Sequence, residues 1–324
     1  MSVAPSRPVR PILSIIIPVY ARRRELHRLL LSIARQLPTE NSFEVIIVEN
    51  RRRLNHRWLN EQTWPFPFSY AFSADGATAR CRNIGAAMAS GDLLFFLDSD
   101  IEISPRTIDK IVATCRDRMA VCSADVWPRA DQPRSLATHL YDVPAYFRRS
   151  YRSKSRKGLA FQDFVSCAFA MRSEEFWRIG GFDEGFLNYG YEDVEFAFRA
   201  ERNGKKFQMA SVRVMHHKAL NGSLLMSREV ELGRSAVHFT RVHEDIEDYL
   251  PLGVRDTLSG SLVFPEKFDI KPLLAEAQAI EKSLAALRAR PNLRRASELF
   301  IRGRDIYRQI TLYGRYCGIR AEIS

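Results

Sequence analysis

Hydrophobic positions along this chain alternate between continuous apolar runs and spaced helical stripes. Leu13 to Val19 is apolar at almost every position and predicts a buried strand ending at Pro18-Val19-Tyr20. Glu25 to Gln36 follows, with Leu26, Leu29, Leu30 and Ile33 on one helical face. Phe43 to Val48 predicts a second strand that closes on Glu49-Asn50. Ala77 to Ala89 predicts an Ala-rich helix, and Leu93 to Leu97 a third apolar strand. This alternation predicts an α/β fold, a mostly parallel sheet with helices on both faces. Ligands in such sheets bind beyond the carboxyl ends of the strands. Farther along, Phe164 to Met171 predicts a strand and Gly180 to Asp183 a turn. Tyr191 to Asn203 predicts a helix capped by Gly204, and Phe207 to Met215 a last strand. Past about Leu250 the composition changes. Leu273 to Arg290 and Arg294 to Tyr316 predict two Arg-rich helices divided by Pro291. The expected division is a domain over residues 1–250 and a basic helical extension over 251–324.

Composition narrows the classes. A chain of 324 residues with 46% hydrophobic content is long enough for one large α/β domain with an appendage. The formal net charge of +11 and pI near 9.6 favour anionic partners: nucleotide phosphates, an anionic membrane surface or nucleic acid. No nucleic-acid reader motif is present, so that partner is not expected. Part of the basic charge lies in the irregular stretch Arg129 to Gly158, with Arg148, Arg149, Arg152, Lys154, Arg156 and Lys157. The five cysteines, Cys81, Cys115, Cys122, Cys167 and Cys317, are odd in number and form no C-x-x-C pair. Neither a disulfide framework nor a zinc site is expected, and a reducing, cytoplasmic setting fits best. The apolar stretch Ile12 to Tyr20 is interrupted by Pro18 and followed by Arg22-Arg23-Arg24, with no small-residue cleavage site; it reads as a strand rather than a signal peptide. No run has the length of a membrane span.

The candidate chemistry begins at Asp98-Ser99-Asp100, where the run Leu93 to Leu97 delivers two carboxylates to a strand end. That placement suits a hard divalent cation, which takes oxygen ligands and shares them with substrate phosphates. Acidic pairs also follow strands as turn-formers and helix caps.

Five blocks in order carry a resemblance. They are Ser14 to Tyr20, Val45 to Asn50, Ala79 to Gly85 through Asp98-Ser99-Asp100, Gly180-Gly181-Phe182-Asp183-Glu184 through Tyr189 to Glu195, and Val214-Met215-His216-His217. The chain resembles the inverting GT-A glycosyltransferases of the large family 2 type that includes bacterial capsule and chondroitin-type polymerases. The stretch Gly180 to Glu195 is similar to the galactosyl- and N-acetylgalactosaminyltransferase subgroup. The blocks span roughly residues 13 to 217.

The resemblance implies a GT-A, Rossmann-like, nucleotide-sugar-binding sheet and a UDP-sugar donor. It implies that Asp100 ligates Mn2+ or Mg2+ directly, with Asp98 nearer the ribose or a metal-bound water. His216 takes the third ligand position in preference to His217, and an imidazole favours Mn2+. Asp193 matches the catalytic base, and Glu192 would bind a sugar or acceptor hydroxyl. An acidic residue in a first helical turn also serves the helix dipole without chemistry. Pro18, Tyr20, Arg22, Glu49, Asn50, Arg80, Arg82, Asp98, Ser99, Tyr189 and Gly190 are the implied nucleotide-sugar contacts. Ion pairing is the plain alternative for Arg80 and Arg82. Two departures from the family stand out. Tyr189 replaces the usual Trp, and Glu49-Asn50 replaces a usual pair of aspartates.

The acceptor class stays open among a glycan, a lipid-linked sugar, a peptide and a small molecule. The competing functions are a catalytically inactive nucleotide-sugar-binding scaffold and a sugar-nucleotide pyrophosphorylase. The latter needs a Gly-rich loop after the first strand, where this chain has Pro18-Val19-Tyr20-Ala21-Arg22. In the extension, seven arginines from Arg294 to Arg320 alternate with apolar residues. Packing on the catalytic domain is the expected use of that pattern, with peripheral contact to an anionic membrane as the alternative.

Overall fold

The structure, a computed structural model, describes residues 10–39, 41–50, 57–74, 76–115, 117–128, 135–137, 160–217, 221–289 and 293–323. Of the basic stretch 129–158 only residues 135–137 are described, so the expectations for its arginines and lysines lie outside the described residues. The chain divides into two compact units. The first comprises the described residues within 10–127, 160–187 and 193–217. The second comprises those within 128, 135–137, 188–192, 221–289 and 293–323.

The first unit is built on the apolar runs. β1 (Leu13–Val19) leads into α1 (Arg23–Ala34), β2 (Phe43–Asn50) and the short α2 (Arg57–Asn60). Then come β3 (Phe68–Ser73), α3 (Thr78–Met88), β4 (Leu93–Leu97), β5 (Ile101–Ile103), α4 (Thr107–Thr114) and β6 (Ala120–Pro128). β7 (Ala168–Arg172), α5 (Ser173–Ile179), α6 (Glu192–Arg202) and β8 (Lys206–His216) complete it. The eight strands form one sheet in the order β3-β2-β1-β4-β7-β6-β8-β5. β1, β2, β3 and β4 pair in parallel, which is where the strand–helix alternation lies. Beyond β4 the ladders turn antiparallel: β7 on β4, β6 on β7 and β5 on β8. Every residue of β1 and β4 is buried, so both faces of the sheet's middle are covered.

An aromatic core fills the antiparallel side. Phe96 and Phe169 stack with centroids 4.7 Å apart, and Phe182 and Phe196 meet at 4.7 Å. The strand expected from Phe164 starts only at Ala168; Phe161–Asp163 is a 3-10 turn, and Phe164 packs edge-on against Phe169 instead. The helix expected from Tyr191 starts at Glu192, because Tyr191 takes a left-handed backbone, φ +64°.

The second unit is helical. It contains α7 (Gly222–Val242), α8 (Leu252–Leu258), α9 (Lys271–Ala289) and α10 (Leu293–Ile323). Leu225, Ala277, Ile280, Ile306, Tyr307 and Ile310 form its core with Leu136 and Ala137. Glu281 secures that core by accepting from Tyr307 Oη at 2.8 Å and from the Leu136 and Ala137 backbone N–H groups. α7 and α10 approach closely where glycines face the partner backbone. A methyl on Gly318 would overlap the Val230 carbonyl, and one on Gly233 the Arg315 carbonyl. Several tail arginines are ion-paired, Arg315 to Glu229, Arg302 to Glu276 and Arg294 to Glu298. Among the described residues no helix is long and apolar enough to cross a membrane.

Candidate active site

The carboxyl ends of β1, β2 and β4 hold most of the sequence-derived candidates. β4 runs out at Leu97, and Asp98-Ser99-Asp100 turns the chain into β5. The Ile101 N–H closes that turn on the Asp98 carbonyl at 3.0 Å. Ser99 and Asp100 are each 4% exposed, whereas the Asp98 side chain is partly open. β5 then pairs with β8 in a register that sets Ile101 opposite His216. As a result His216 Nε2 lies 3.4 Å from Asp100 Oδ1. The neighbouring His217 faces the other way, its Nε2 2.9 Å from Glu102 Oε2. Successive strand residues point to opposite faces, so only one of two adjacent histidines reaches the acidic turn.

Asp100 has a second partner. Arg22, at the start of α1 and half exposed, donates from Nη1 to Asp100 Oδ2. Pro18 is buried one residue before the end of β1, and Tyr20 follows the strand with a 42% exposed ring. Asp98 is gripped from α3, where the buried Arg82 donates from Nη2 to Asp98 Oδ1 at 2.9 Å. The Arg82 guanidinium also lies over the Phe182 ring, 5.3 Å from its centroid. Arg80 on the same helix donates to Glu184 Oε2 at 2.7 Å. Asn83 binds both the N–H and the carbonyl of Phe182 at 2.9 Å, and so ties α3 to the turn after α5.

At the end of β2 the two replacing residues differ in setting. Glu49 is fully buried and accepts from Tyr70 Oη of β3. Asn50 donates from Nδ2 to the Gly76 carbonyl, while its Oδ1 is buried with no hydrogen-bond partner among the described residues. Sequence reading missed Tyr70. It sits opposite Ile47 in the ladder and reaches Glu49 on the diagonal, a contact set by pairing register rather than by local pattern.

Asp193 is the second residue of α6, partly exposed, and accepts the Val194 N–H at 2.8 Å. Two residues on, Glu195 holds Arg199 through two contacts, and Arg199 also donates to the Ile179 and Gly181 carbonyls. Glu195, part of the resembling block, thus anchors α6 to the turn after α5. In the second unit, Tyr189 is 40% exposed with the Arg228 guanidinium 4.2 Å from its centroid. Gly190 has φ +91°, and Glu192 is 8% exposed. Among the described residues no three His, Cys, Asp or Glu side chains cluster as a ready-made metal cage; Asp100 and His216 form a pair.

A family model described as glycosyl transferase family 2 matches residues 14–180, more than half of the chain. The chain belongs to glycosyl transferase family 2. A second model, the N-terminal domain of galactosyltransferase, matches residues 149–221 and so covers the stretch with Tyr189 to Glu195 and His216. The validoxylamine A glucosyltransferase of Streptomyces hygroscopicus subsp. limoneus is 27% identical over 220 residues, 60% of this chain and 49% of that protein. Human polypeptide N-acetylgalactosaminyltransferase 10 is 26% identical over 218 residues, 61% of this chain and 36% of that one. The chain spans about half the length of the validoxylamine glucosyltransferases it matches. Among solved structures, GalNAc-T7 with UDP, GalNAc and Mn2+ aligns with a TM-score of 0.59 at 18% identity, covering 83% of this chain and 54% of that one. The mannosyltransferase PcManGT from Pyrobaculum calidifontis, in complex with GDP-Man and Mn2+, gives 0.59 at 16% identity, covering 99% and 89%. This family 2 chain has the GT-A glycosyltransferase fold, extended by a C-terminal helical region.

Proposed function

We propose that this family 2 chain is an inverting, metal-dependent glycosyltransferase that moves a hexose or N-acetylhexosamine from a UDP-sugar to an acceptor hydroxyl. The observation that carries the reading is the meeting of Asp100 and His216, residues 116 apart in sequence, at 3.4 Å beyond the end of β4. A carboxylate and an imidazole suit Mn2+ better than Mg2+, and such ions take their remaining ligands from water and phosphate oxygens. The donor set therefore fits the metal, with Asp100 and His216 as ligands and Asp98, held by Arg82, beside them. The chemistry a bound Mn2+ would supply is neutralisation of the charge that develops on the leaving diphosphate.

The chain's own residues do the rest. Arg22, half exposed, presents guanidinium N–H groups to the diphosphate as well as to Asp100. The buried Oδ1 of Asn50 suits an N–H donor on the nucleobase, as uracil presents at N3. Burying an acceptor is costly until a donor meets it. Tyr20 offers an exposed ring beside that strand end. Asp193 takes the proton from the acceptor hydroxyl as it attacks the anomeric carbon opposite the diphosphate. Glu192 and the Tyr189 ring bind sugar hydroxyls and a sugar face. Both GalNAc-T7 with UDP and PcManGT with GDP-Man share the fold, so the fold alone does not choose the base.

A thermal-shift screen of UDP- and GDP-sugars with and without Mn2+ tests this reading, since a ligand of the folded state raises its stability. Stabilisation by a UDP-sugar that needs Mn2+ is the expected result. No shift with any nucleotide sugar would remove the proposal. NMR of the product showing the donor's anomeric configuration retained would remove the inverting mechanism.

A further inference from the structure

We propose that α7 carries the positioning residues for the turn that leads into the base, through a stripe of Arg228, Leu232, Ser235 and Phe239. The inference rests on the reading of Asp193 as the base. The spacings of four, three and four put these side chains on one face of the helix. Each meets one of the three consecutive residues Tyr189, Gly190 and Tyr191, and all of them belong to the second unit. Arg228 lies over the Tyr189 ring at 4.2 Å. Leu232 closes on Gly190 so tightly that a Cβ there would lie 3.0 Å from its Cγ. Ser235 donates from Oγ to the Tyr189 carbonyl at 3.2 Å. Phe239 packs on the Tyr191 ring with centroids 5.7 Å apart. Ser235 and Phe239 are 2% and 1% exposed, so the end of the stripe is deeply set.

The backbone explains why such a clamp is needed. Gly190 and Tyr191 are consecutive left-handed residues, at φ +91° and +64°. A tyrosine there is strained and persists only where its surroundings leave no alternative. Glu192 and Asp193 follow with no intervening residue, so this turn sets the direction in which the first turn of α6 starts. A general base must lie within hydrogen-bond reach of the proton it takes, and a displacement of about 1 Å can cost ~10²-fold in rate. Loosening the stripe should therefore lower kcat while leaving the nucleotide contacts of β1, β2 and β4 untouched.

The test uses the full chain with Leu232→Ala, Ser235→Ala and the conservative Leu232→Met. UDP release from UDP-glucose, UDP-galactose and their N-acetylated forms, with water as acceptor, gives kcat and KM. Calorimetry gives UDP affinity in Mn2+, and hydrogen exchange follows the amides of 188–193. Leu232→Ala should lower kcat about tenfold, keep donor KM and UDP affinity within about twofold, and speed exchange in 188–193. Leu232→Met should restore most of the rate. Ser235→Ala, which deletes one hydrogen bond, should show the same split more weakly. Native kcat in Leu232→Ala, a loss matched by lost UDP affinity, or unchanged exchange in 188–193 would overturn the inference. Failure of the native chain to bind UDP would instead remove the functional reading beneath it.

Discussion

Gly318→Ala sets two effects of opposite sign against each other. In a helix interior, alanine is favoured over glycine by about 0.8–1 kcal/mol, so propensity alone predicts a more stable protein. The structure predicts the reverse. The added methyl would overlap the Val230 carbonyl oxygen and lie 3.0 Å from the Arg234 nitrogen, both backbone atoms of α7. No rotamer can relieve a clash with backbone, so α7 and α10 must separate. Overpacking of this kind costs about 1–3 kcal/mol, and an overlap with fixed atoms belongs at the upper end. The balance is a net loss of about 2 kcal/mol, or roughly 4–8 °C in Tm at about 2–4 °C per kcal/mol. Gly222→Ala is the control, because its methyl would meet Leu274 at an ordinary 3.4 Å. The assay is thermal unfolding followed by circular dichroism at the helical band. All four tryptophans, Trp58, Trp64, Trp127 and Trp177, lie in the first unit, so fluorescence would report the wrong part of the chain. A Gly318→Ala protein as stable as the native one, or more stable, would refute the close helix approach.

Three further outcomes are expected. Asp193→Asn should keep UDP affinity nearly unchanged and lower kcat by ~10²-fold or more, measured by UDP release, because an amide cannot take the acceptor proton. His216→Ala should weaken Mn2+ binding more than His217→Ala in a direct metal titration, since His216 faces Asp100 and His217 faces Glu102. The buried Lys205–Glu175 pair should be a stability element: the Lys205 ammonium, burial opposing it, holds Glu175 below its ordinary 4.5, with Arg178 adding to the effect. A depressed carboxyl contributes stability above pH 4.5 that is lost as pH falls through its folded value. Lys205→Met should cost about 3 kcal/mol at pH 7 and less in acid, read from Tm against pH; a constant loss across pH 7 to 4 would contradict this.

The parts of the fold written in short local patterns were legible in the sequence. β1, β2 and β4 are continuous apolar runs, and their ends mark Arg22, Glu49, Asn50 and the Asp98–Asp100 turn in the sequence itself. Elements whose logic is distant were not read. β5 has three residues and exists because it pairs with β8, more than a hundred positions later. β3 is half polar and lies at the edge of the sheet. α7 went unread because Gly233 and several serines weaken its helical pattern. Gly233 fits only once α10, some eighty residues on, crosses it. For the same reason the stripe from Arg228 to Phe239 left no mark near the motif it supports. Arg80 and Arg82 were visible as charges. Their ion pairs with Glu184 and Asp98 depend on packing between α3, β4 and the turn after α5.

If Asp100 and His216 hold a divalent cation, nucleotide binding depends on that cation. Calorimetric titration of UDP into the native chain and into Asp100→Ala, each with Mn2+ and with chelator, tests it most directly. Tight binding is expected only for the native chain in Mn2+, with Asp100→Ala folded by circular dichroism yet indifferent to the metal. Equal Mn2+-dependent UDP affinity in the two proteins would contradict it.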